Sequence, residues 1–326
     1  MDLETPVRSG PCEQGLKIFR FPVIKSPCQT LWLPERRNCV ENLMPSLRTL
    51  LVLGRTSNLP TVWSNCLAAW WLGGGGNLSK LPWLLAGTTL IYLGGMYLND
   101  AFDAEFDAQY RNERPIPSGA ISRHMVWQIG IVLLGAGALY LILLGTTTGI
   151  LTVLLVLCIL AYDAVHKLIT FSPLLMAACR YFLYLVAASI GSNGVTGRAV
   201  WCAFALAGYI IGLSYIARKE STRGALKYWH LVCLAFPIIL AVIMNANEYQ
   251  FPALLLSGVL GLWILRCLRY SLWAPERNIG RTVSGLLAGI VWVDLLAVAD
   301  CSRQFAAVFL CLFFAALLFQ RFVPAT

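Results

Sequence analysis

Tyr97-Leu98-Asn99-Asp100-Ala101-Phe102-Asp103-Ala104-Glu105-Phe106-Asp107 closes an apolar run that begins near residue 82. On a helix, Asp100, Asp103 and Asp107 are spaced i, i+3, i+7, so the three carboxylates share one face within about 10 Å. Asn99 adjoins that face and Glu105 points away from it. Like charges on one stripe repel and weaken the helix, so a positive partner is expected among them. Oxygen-only donors suit a hard cation such as Mg²⁺, which binds through one or two carboxylates together with substrate phosphates. The plainer alternative is a solvated acidic helix end. It does not explain why the acids share a face while the loop that follows is basic and rich in proline.

Outward from this stretch, the chain is too apolar to be a soluble protein. Hydrophobic residues make up 58% of its 326 residues and charged residues 13%, with a mean hydropathy of +0.68. Soluble chains carry about 25% charge, so lipid is the expected solvent for much of this surface. Apolar runs of roughly spanning length fall near 57–74, 82–102, 125–144, 148–162, 173–190, 199–217, 229–245, 251–268, 283–299 and 304–322. The expected fold is therefore all-α, a polytopic transmembrane helical bundle of nine to ten spans. Arg111, Arg114, Arg123, Lys167, Arg218, Lys219, Arg223, Lys227, Arg266, Arg269, Arg277 and Arg281 gather in alternate connections, whereas the opposite ones hold Lys80, Arg198 and Arg303. That bias is the positive-inside pattern. It places both termini and the acidic motif on the cytosolic face of what is expected to be a bacterial inner membrane. Residues 1–47, broken by Pro6, Pro11, Pro22, Pro27 and Pro34, are expected to form a cytosolic extension ahead of a membrane domain over 48–326. Residues 41–53 suggest a helix on the membrane surface.

The net charge of +9 fits anionic lipid headgroups. Nucleic acid is excluded as a partner because the cations sit in short patches between apolar spans, and no obligate protein partner is evident. The 11 cysteines form no CxxC pair, and most lie in apolar runs where a thiol behaves as a small hydrophobe. Gly73 to Gly76 form a turn without the GK[ST] of a phosphate loop.

The loop after the acids reads Arg111-Asn-Glu-Arg-Pro-Ile-Pro-Ser-Gly119. NDxxDxxxD followed by RPIPSG resembles the first signature of the UbiA-type prenyltransferases, and the placement of later motifs extends the resemblance over most of the chain beyond residue 55. The resemblance implies a multi-span bundle that transfers an isoprenoid chain from an allylic polyprenyl diphosphate to a lipid-soluble, often aromatic acceptor. It implies that Asn99, Asp100, Asp103 and Asp107 hold Mg²⁺, with the three aspartates catalytic, and that Arg114 meets the diphosphate. The chemistry agrees: an allylic C–O bond ionises once its leaving group is neutralised, and a water-poor chamber then steers the cation to its acceptor.

The second family motif, expected after the sixth span, lacks its aspartates and reads Ser214-Tyr-Ile-Ala-Arg-Lys-Glu-Ser-Thr-Arg223. Either Lys219 replaces a metal as a fixed catalytic cation, with Tyr215 and Arg223 touching substrate, or the segment is a topology anchor. After the fourth span, Tyr162-Asp-Ala-Val-His-Lys167 resembles a short family motif in which a tyrosine precedes a basic residue, either Lys167 with one extra residue of spacing or His166 at the matched spacing; Tyr162 and Lys167 are expected to contact substrate, and an ordinary interfacial pair is the other reading. Arg180 lies about two turns inside the fifth span, where an arginine normally faces a cavity or a partner. It either snorkels to the surface or forms the upper wall of the diphosphate site. Asp294, in the ninth span, either pairs with Arg180 or lines the acceptor chamber. Arg55, Asn58, Ser64 and Asn65 give the first span a polar side, and the resemblance assigns Asn58 to substrate binding.

Two further function classes compete. CDP-alcohol phosphotransferases also place spaced aspartates at a membrane surface, but in an order absent here. A non-catalytic membrane protein of the same fold, one that binds or moves a lipid or isoprenoid, fits the altered second motif.

Overall fold

The computed structural model describes residues 45–324 apart from 77, 168, 223–227, 245–249 and 273–276. The expected extension over 1–47 lies outside the described residues as far as 44. Twelve α-helices make up the described chain. They are α1 (Leu47–Leu53), α2 (Leu59–Leu72), α3 (Leu81–Tyr110), α4 (Arg123–Ile142), α5 (Thr146–Val165), α6 (Ser172–Ala188), α7 (Gly197–Thr222), α8 (Tyr228–Leu234), α9 (Phe236–Met244), α10 (Gln250–Leu272), α11 (Ile279–Ala297) and α12 (Arg303–Phe322).

Seven of these helices, α3, α4, α5, α7, α10, α11 and α12, are long and apolar enough to cross a membrane. The chain is a multi-pass integral membrane protein. Three other expected runs are shorter helices: α2 has 14 residues, α6 has 17, and 229–245 divides into α8 and α9. Pro237, near the start of α9, accounts for that division, since its ring removes a helical N–H and crowds the preceding turn. At the start of the first run, Arg55 stands in the left-handed region with φ 42° and a 3₁₀ turn covers Thr56–Asn58. Arg55 and Asn58 therefore do not lie on the α-helix expected there, which begins only at Leu59 with Pro60 in its first turn.

The 30 residues of α3 span about 45 Å at 1.5 Å per residue, well beyond the roughly 30 Å of a bilayer's hydrocarbon core. Its last turns, which carry the aspartates, are therefore free to leave the apolar layer. Small residues set α3 tightly against α4: a Cβ built on Gly94 would lie 2.5 Å from the backbone nitrogen of Leu134. Such contacts allow the close backbone approach that packs helices in lipid. α7 and α11 form the centre, each with 61% of its apolar window buried, whereas α12 buries 17%. Tyr209 on α7 ties the two central helices by donating to the Leu286 carbonyl at 2.8 Å.

Ion pairs and hydrogen bonds establish which helix ends lie together. The start of α2, the end of α3, the start of α4 and the end of α5 meet through Arg55–Asp100, Arg123–Glu105 and Lys167–Asp103. At the opposite end, the glycine turn after α2 is clasped by the turn after α6: Asn193 N donates to Gly73 O at 2.7 Å and Ser192 N to Gly75 O at 3.0 Å. A Cβ on Gly73 would lie 2.3 Å from the Ala188 carbonyl oxygen, so only glycine permits this contact.

Candidate active site

The last turns of α3 present Asn99, Asp100, Asp103 and Asp107 to the interior, and all four are buried. Glu105 faces outward, its side chain 80% exposed and paired with Arg123 at 2.9 Å, as the helical spacing requires. The three inward aspartates are met by cations from three other segments. Arg55 Nη2 lies 3.2 Å from Asp100 Oδ1 and also donates to Asn99 Oδ1 at 3.4 Å. Arg114, from the loop after α3, reaches Asp100 at 3.2 Å and Asp107 at 3.0 Å with one nitrogen. Lys167 Nζ lies 2.7 Å from Asp103 Oδ1 and 3.8 Å from the centre of the Phe106 ring. His166 Nε2 is 3.3 Å from the same Asp103 oxygen. The positive partners expected among the aspartates are thus side chains of the chain itself.

Burial works against the charge on Arg55, but Asp100, with Tyr92, Tyr162 and Asp103 nearby, holds its pKa above the ordinary arginine value. Its left-handed backbone turns the side chain back over the end of α3. Tyr92 fixes that turn by donating to the Arg55 carbonyl at 3.2 Å.

One carboxylate joins the cluster from α5. Asn99 Nδ2 donates to Asp163 Oδ1 at 3.1 Å, while Asp163 Oδ2 and Asp107 Oδ1 are buried without a hydrogen-bond partner. Buried carboxylate oxygens left unpaired are costly, and each of the two is open to a donor or a cation. Among the described residues, no three His, Cys, Asp or Glu side chains gather closely enough to hold a metal ion by themselves. Asn99, Asp100, Asp103 and Asp107 therefore do not form a closed cage. The donor set fits Mg²⁺ held through one or two carboxylates, with phosphate and water completing the shell.

Beside the cluster, α2, α3, α5 and α6 line a mostly apolar chamber of about 90 Å³. Ile91, Leu155, Ile159 and Leu183 line it together with Tyr92, Tyr162, Asp163 and Arg180. Tyr162, which lines the chamber, stacks on His166, ring centres 4.9 Å apart, and so links the chamber to the charged cluster. Arg180 is turned inward and does not snorkel. It donates to Asn65 Oδ1 at 2.8 Å and to Thr61 Oγ1 at 3.2 Å. Asn65 Nδ2 in turn donates to Asp294 Oδ2 at 2.7 Å, and Ser64 donates to the same oxygen. Arg180 and Asp294 are thus coupled through one amide.

The remaining expected site residues are placed as follows. Asn58 is buried at the start of α2 and hydrogen-bonds Tyr92. Tyr215 stacks on His230 and packs edge-on against Trp229 of α8, at 5.2 and 4.7 Å. The Lys219 side chain and Arg223 lie outside the described residues. Two participants are missing from the sequence-level site: Arg55, whose role depends on the turn, and Asp163, whose adjacency to Tyr162 was its only signal.

A family model described as the UbiA prenyltransferase family matches residues 57–223, just over half of the chain. The protoheme IX farnesyltransferase of Macrococcus caseolyticus is 31% identical over 122 residues, 36% of this chain and 39% of its own length. The digeranylgeranylglyceryl phosphate synthase of Methanoregula boonei is 44% identical over 54 residues, 16% of this chain and 19% of its own. The chain thus spans well under half the length of these curated relatives. A solved structure of a digeranylgeranylglyceryl phosphate synthase in membranes superposes with a TM-score of 0.53 at 17% identity, covering 84% of this chain and all (100%) of that one; this likeness bears on the fold. With the acidic face of α3, the basic loop after it and the chamber beside them, the chain belongs to the UbiA prenyltransferase family.

Proposed function

We propose that this chain is an intramembrane prenyltransferase that moves an isoprenoid from an allylic polyprenyl diphosphate to a lipophilic acceptor. The observation that carries this reading is the juxtaposition of two unlike environments. A cluster of paired charges, Asp100, Asp103 and Asp107 against Arg55, Arg114, His166 and Lys167, adjoins an apolar chamber. A prenyl diphosphate has the same division, with a highly charged head and a hydrocarbon tail.

In this reading one or two carboxylates from the set Asp100, Asp103, Asp107 and Asp163, with Asn99 beside them, would hold Mg²⁺. A bound cation would offset the negative charge that grows on the diphosphate as the allylic C–O bond breaks. Arg55, Arg114 and Lys167, released from their carboxylates, turn to the phosphate oxygens, where forked guanidinium donors are most effective. The C–O electron pair leaves with diphosphate, the allylic carbon bonds to the acceptor, and the acceptor loses a proton. Ile91, Leu155, Ile159 and Leu183 keep water from the cation meanwhile. Lys219, Tyr215 and Arg223 are assigned to the same diphosphate from the sequence. The ten apolar runs are read as spans, with α2, α6 and α8–α9 completing the count. The acidic motif and the N-terminus are read as cytosolic.

The test is conversion of radiolabelled prenyl diphosphate in membranes with and without the protein, followed by mass spectrometry of the lipid extract. Binding of the diphosphate without any prenylated product, across a broad set of lipid extracts, would leave the protein as a lipid or isoprenoid carrier.

A further inference from the structure

The outward face of α10 ends in charge. Leu255, Leu262 and Leu265 are exposed on it, and Arg266 and Arg269, also exposed, continue the same stripe at helical spacing from Leu262. Arginines that set topology usually sit in loops, where water solvates them. These two lie on the helix itself. Arg266 is six residues short of its end at Leu272, about 9 Å at 1.5 Å per residue. At that depth a guanidinium on a lipid-facing stripe meets the boundary between headgroups and chains, where an anion is its natural partner.

The start of α11 adds a third guanidinium and fixes the geometry. Asn278 N donates to Tyr270 O at 3.0 Å, Arg281 N donates to Asn278 Oδ1 at 2.8 Å, and the Ser271 and Thr282 hydroxyls lie 2.6 Å apart. This joint sets the Arg281 guanidinium 4.2 Å from the centre of the Tyr270 ring, which the Arg269 guanidinium approaches at 5.6 Å. Arg266 lies 5.3 Å from the centre of the Trp263 ring, and Trp263 is held in turn by donating to the Gly285 carbonyl at 2.9 Å. An aromatic face attracts one cation, but two cations at one ring repel each other. Among the described residues no carboxylate lies within ion-pair reach of Arg266, Arg269 or Arg281. The acid that α11 does carry, Asp294, is near its opposite end.

The joint lies at the same end of the bundle as the carboxylate cluster. Arg218, toward the end of α7, donates to the Thr170 carbonyl just ahead of α6 at 2.8 Å. Arg198, at the start of α7, pairs with Asp300 beyond the end of α11, so α11 begins where α7 ends. None of the three arginines lines the chamber, and the transfer reaction makes no use of them.

We infer that the joint of α10 and α11 is a binding site for an anionic phospholipid, with the phosphate between Arg269 and Arg281 and an acyl chain along Leu262 and Leu265. Such a lipid matches both halves of the surface: its phosphate oxygens accept from forked donors, and its chain covers the apolar stripe. A zwitterionic lipid brings an ammonium group to a place already crowded with cations, and a soluble phosphate has no chain for the leucines. The site is independent of the prenyltransferase reading.

The test is native mass spectrometry of the full chain released from detergent micelles holding equal amounts of phosphatidylglycerol and phosphatidylcholine with the same acyl chains. The wild type should retain phosphatidylglycerol about fivefold or more over phosphatidylcholine, since each basic residue near an anionic surface contributes a factor of about that size. Inorganic phosphate should not displace it. The double variant Arg269→Gln/Arg281→Gln should bring the ratio near parity, whereas Arg48→Gln/Arg303→Gln, which removes as much charge from exposed positions elsewhere, should leave it unchanged. Arg269→Lys/Arg281→Lys, which keeps the charge without the fork, should fall between and serves if the glutamine pair does not insert. Equal retention of the two lipids by the wild type overturns the site, as does a ratio unaltered in the glutamine and lysine pairs. An equal fall in the Arg48/Arg303 control overturns it too, because net charge alone would then be at work. So does displacement by phosphate, which leaves an anion site without a lipid, or release as a dimer carrying no lipid, which gives the face to a second copy of the chain.

Discussion

Arg114→Gln is the perturbation that most directly tests the balance of charge in the cluster beside the chamber. One nitrogen of Arg114 serves Asp100 at 3.2 Å and Asp107 at 3.0 Å, with those side chains 8% and 3% exposed. At an effective dielectric near 20, a unit pair 3 Å apart attracts by about 5.5 kcal/mol before desolvation is subtracted. Breaking a buried pair costs about 3–5 kcal/mol in measured cases. The Arg114 side chain is itself 18% exposed, so a loss at or just below the bottom of that range, roughly 2–3 kcal/mol, is expected. Removal of the cation leaves Asp107 without an ion-pair partner and Asp100 with Arg55 alone. The vacated oxygens are then open to a divalent cation. At a concentration one hundredfold above its dissociation constant, a ligand of the folded state restores about 2.7 kcal/mol, nearly the whole deficit. Thermal unfolding in detergent should therefore show Arg114→Gln clearly destabilised in chelator and close to wild type in excess Mg²⁺. A destabilisation of the same size in both conditions would refute the idea that arginine and metal compete for these carboxylates.

Asp103→Asn should abolish turnover while membrane insertion stays intact, because the change removes a charge at the end of α3 and no apolar contact. Wild-type turnover should vanish in excess chelator, and full activity there would remove the metal from the reaction. Lys219→Ala should weaken prenyl diphosphate binding more than binding of the acceptor. An unchanged diphosphate affinity would leave Lys219 as a topology anchor. Gly94→Ala should destabilise the bundle by about 1–3 kcal/mol through overpacking, since its Cβ would lie 2.5 Å from backbone on α4. Ordinary stability of that variant in a denaturant or heating series would show that α3 and α4 can part.

The sequence disclosed much of the site because its central feature is local. The acids at 100, 103 and 107 lie on one helix, and helical spacing alone decides that they converge and that Glu105 does not. The basic loop that meets them is adjacent in the chain, so Arg114 is legible for the same reason. Partners that depend on backbone irregularity were hidden. Arg55 reads as one more residue of a helical stripe, yet it stands in a left-handed turn that swings it onto Asp100. Asp163 reads as a bystander of Tyr162, because its pairing with Asn99 joins residues 64 apart in the chain. Arg180 and Asp294 could be seen as a costly pair of charges within apolar spans. The amide of Asn65 between them could not, since any of several polar residues on α2 would have suited the pattern. The run at 229–245 reads as one span because periodicity does not register a break between two short apolar helices.

The chamber draws its walls from α2, α3, α5 and α6, whereas among the described residues none of α10 or α12 lines it. This division sorts the consequences of genetic change along the chain. Substitutions in α2, α3, α5 and α6 alter what the molecule recognises, and they are judged by substrate. Those on the outer faces of α10 and α12 are judged mainly by the bilayer, whose hydrocarbon core asks only that a side chain be apolar. Asp294 is an exception among the last three helices: through Asn65, a residue on α11 reaches the orientation of Arg180. A scan of single replacements should therefore find a long permissive region from α10 to α12, interrupted near the end of α11 by a position as intolerant as any of the acids on α3.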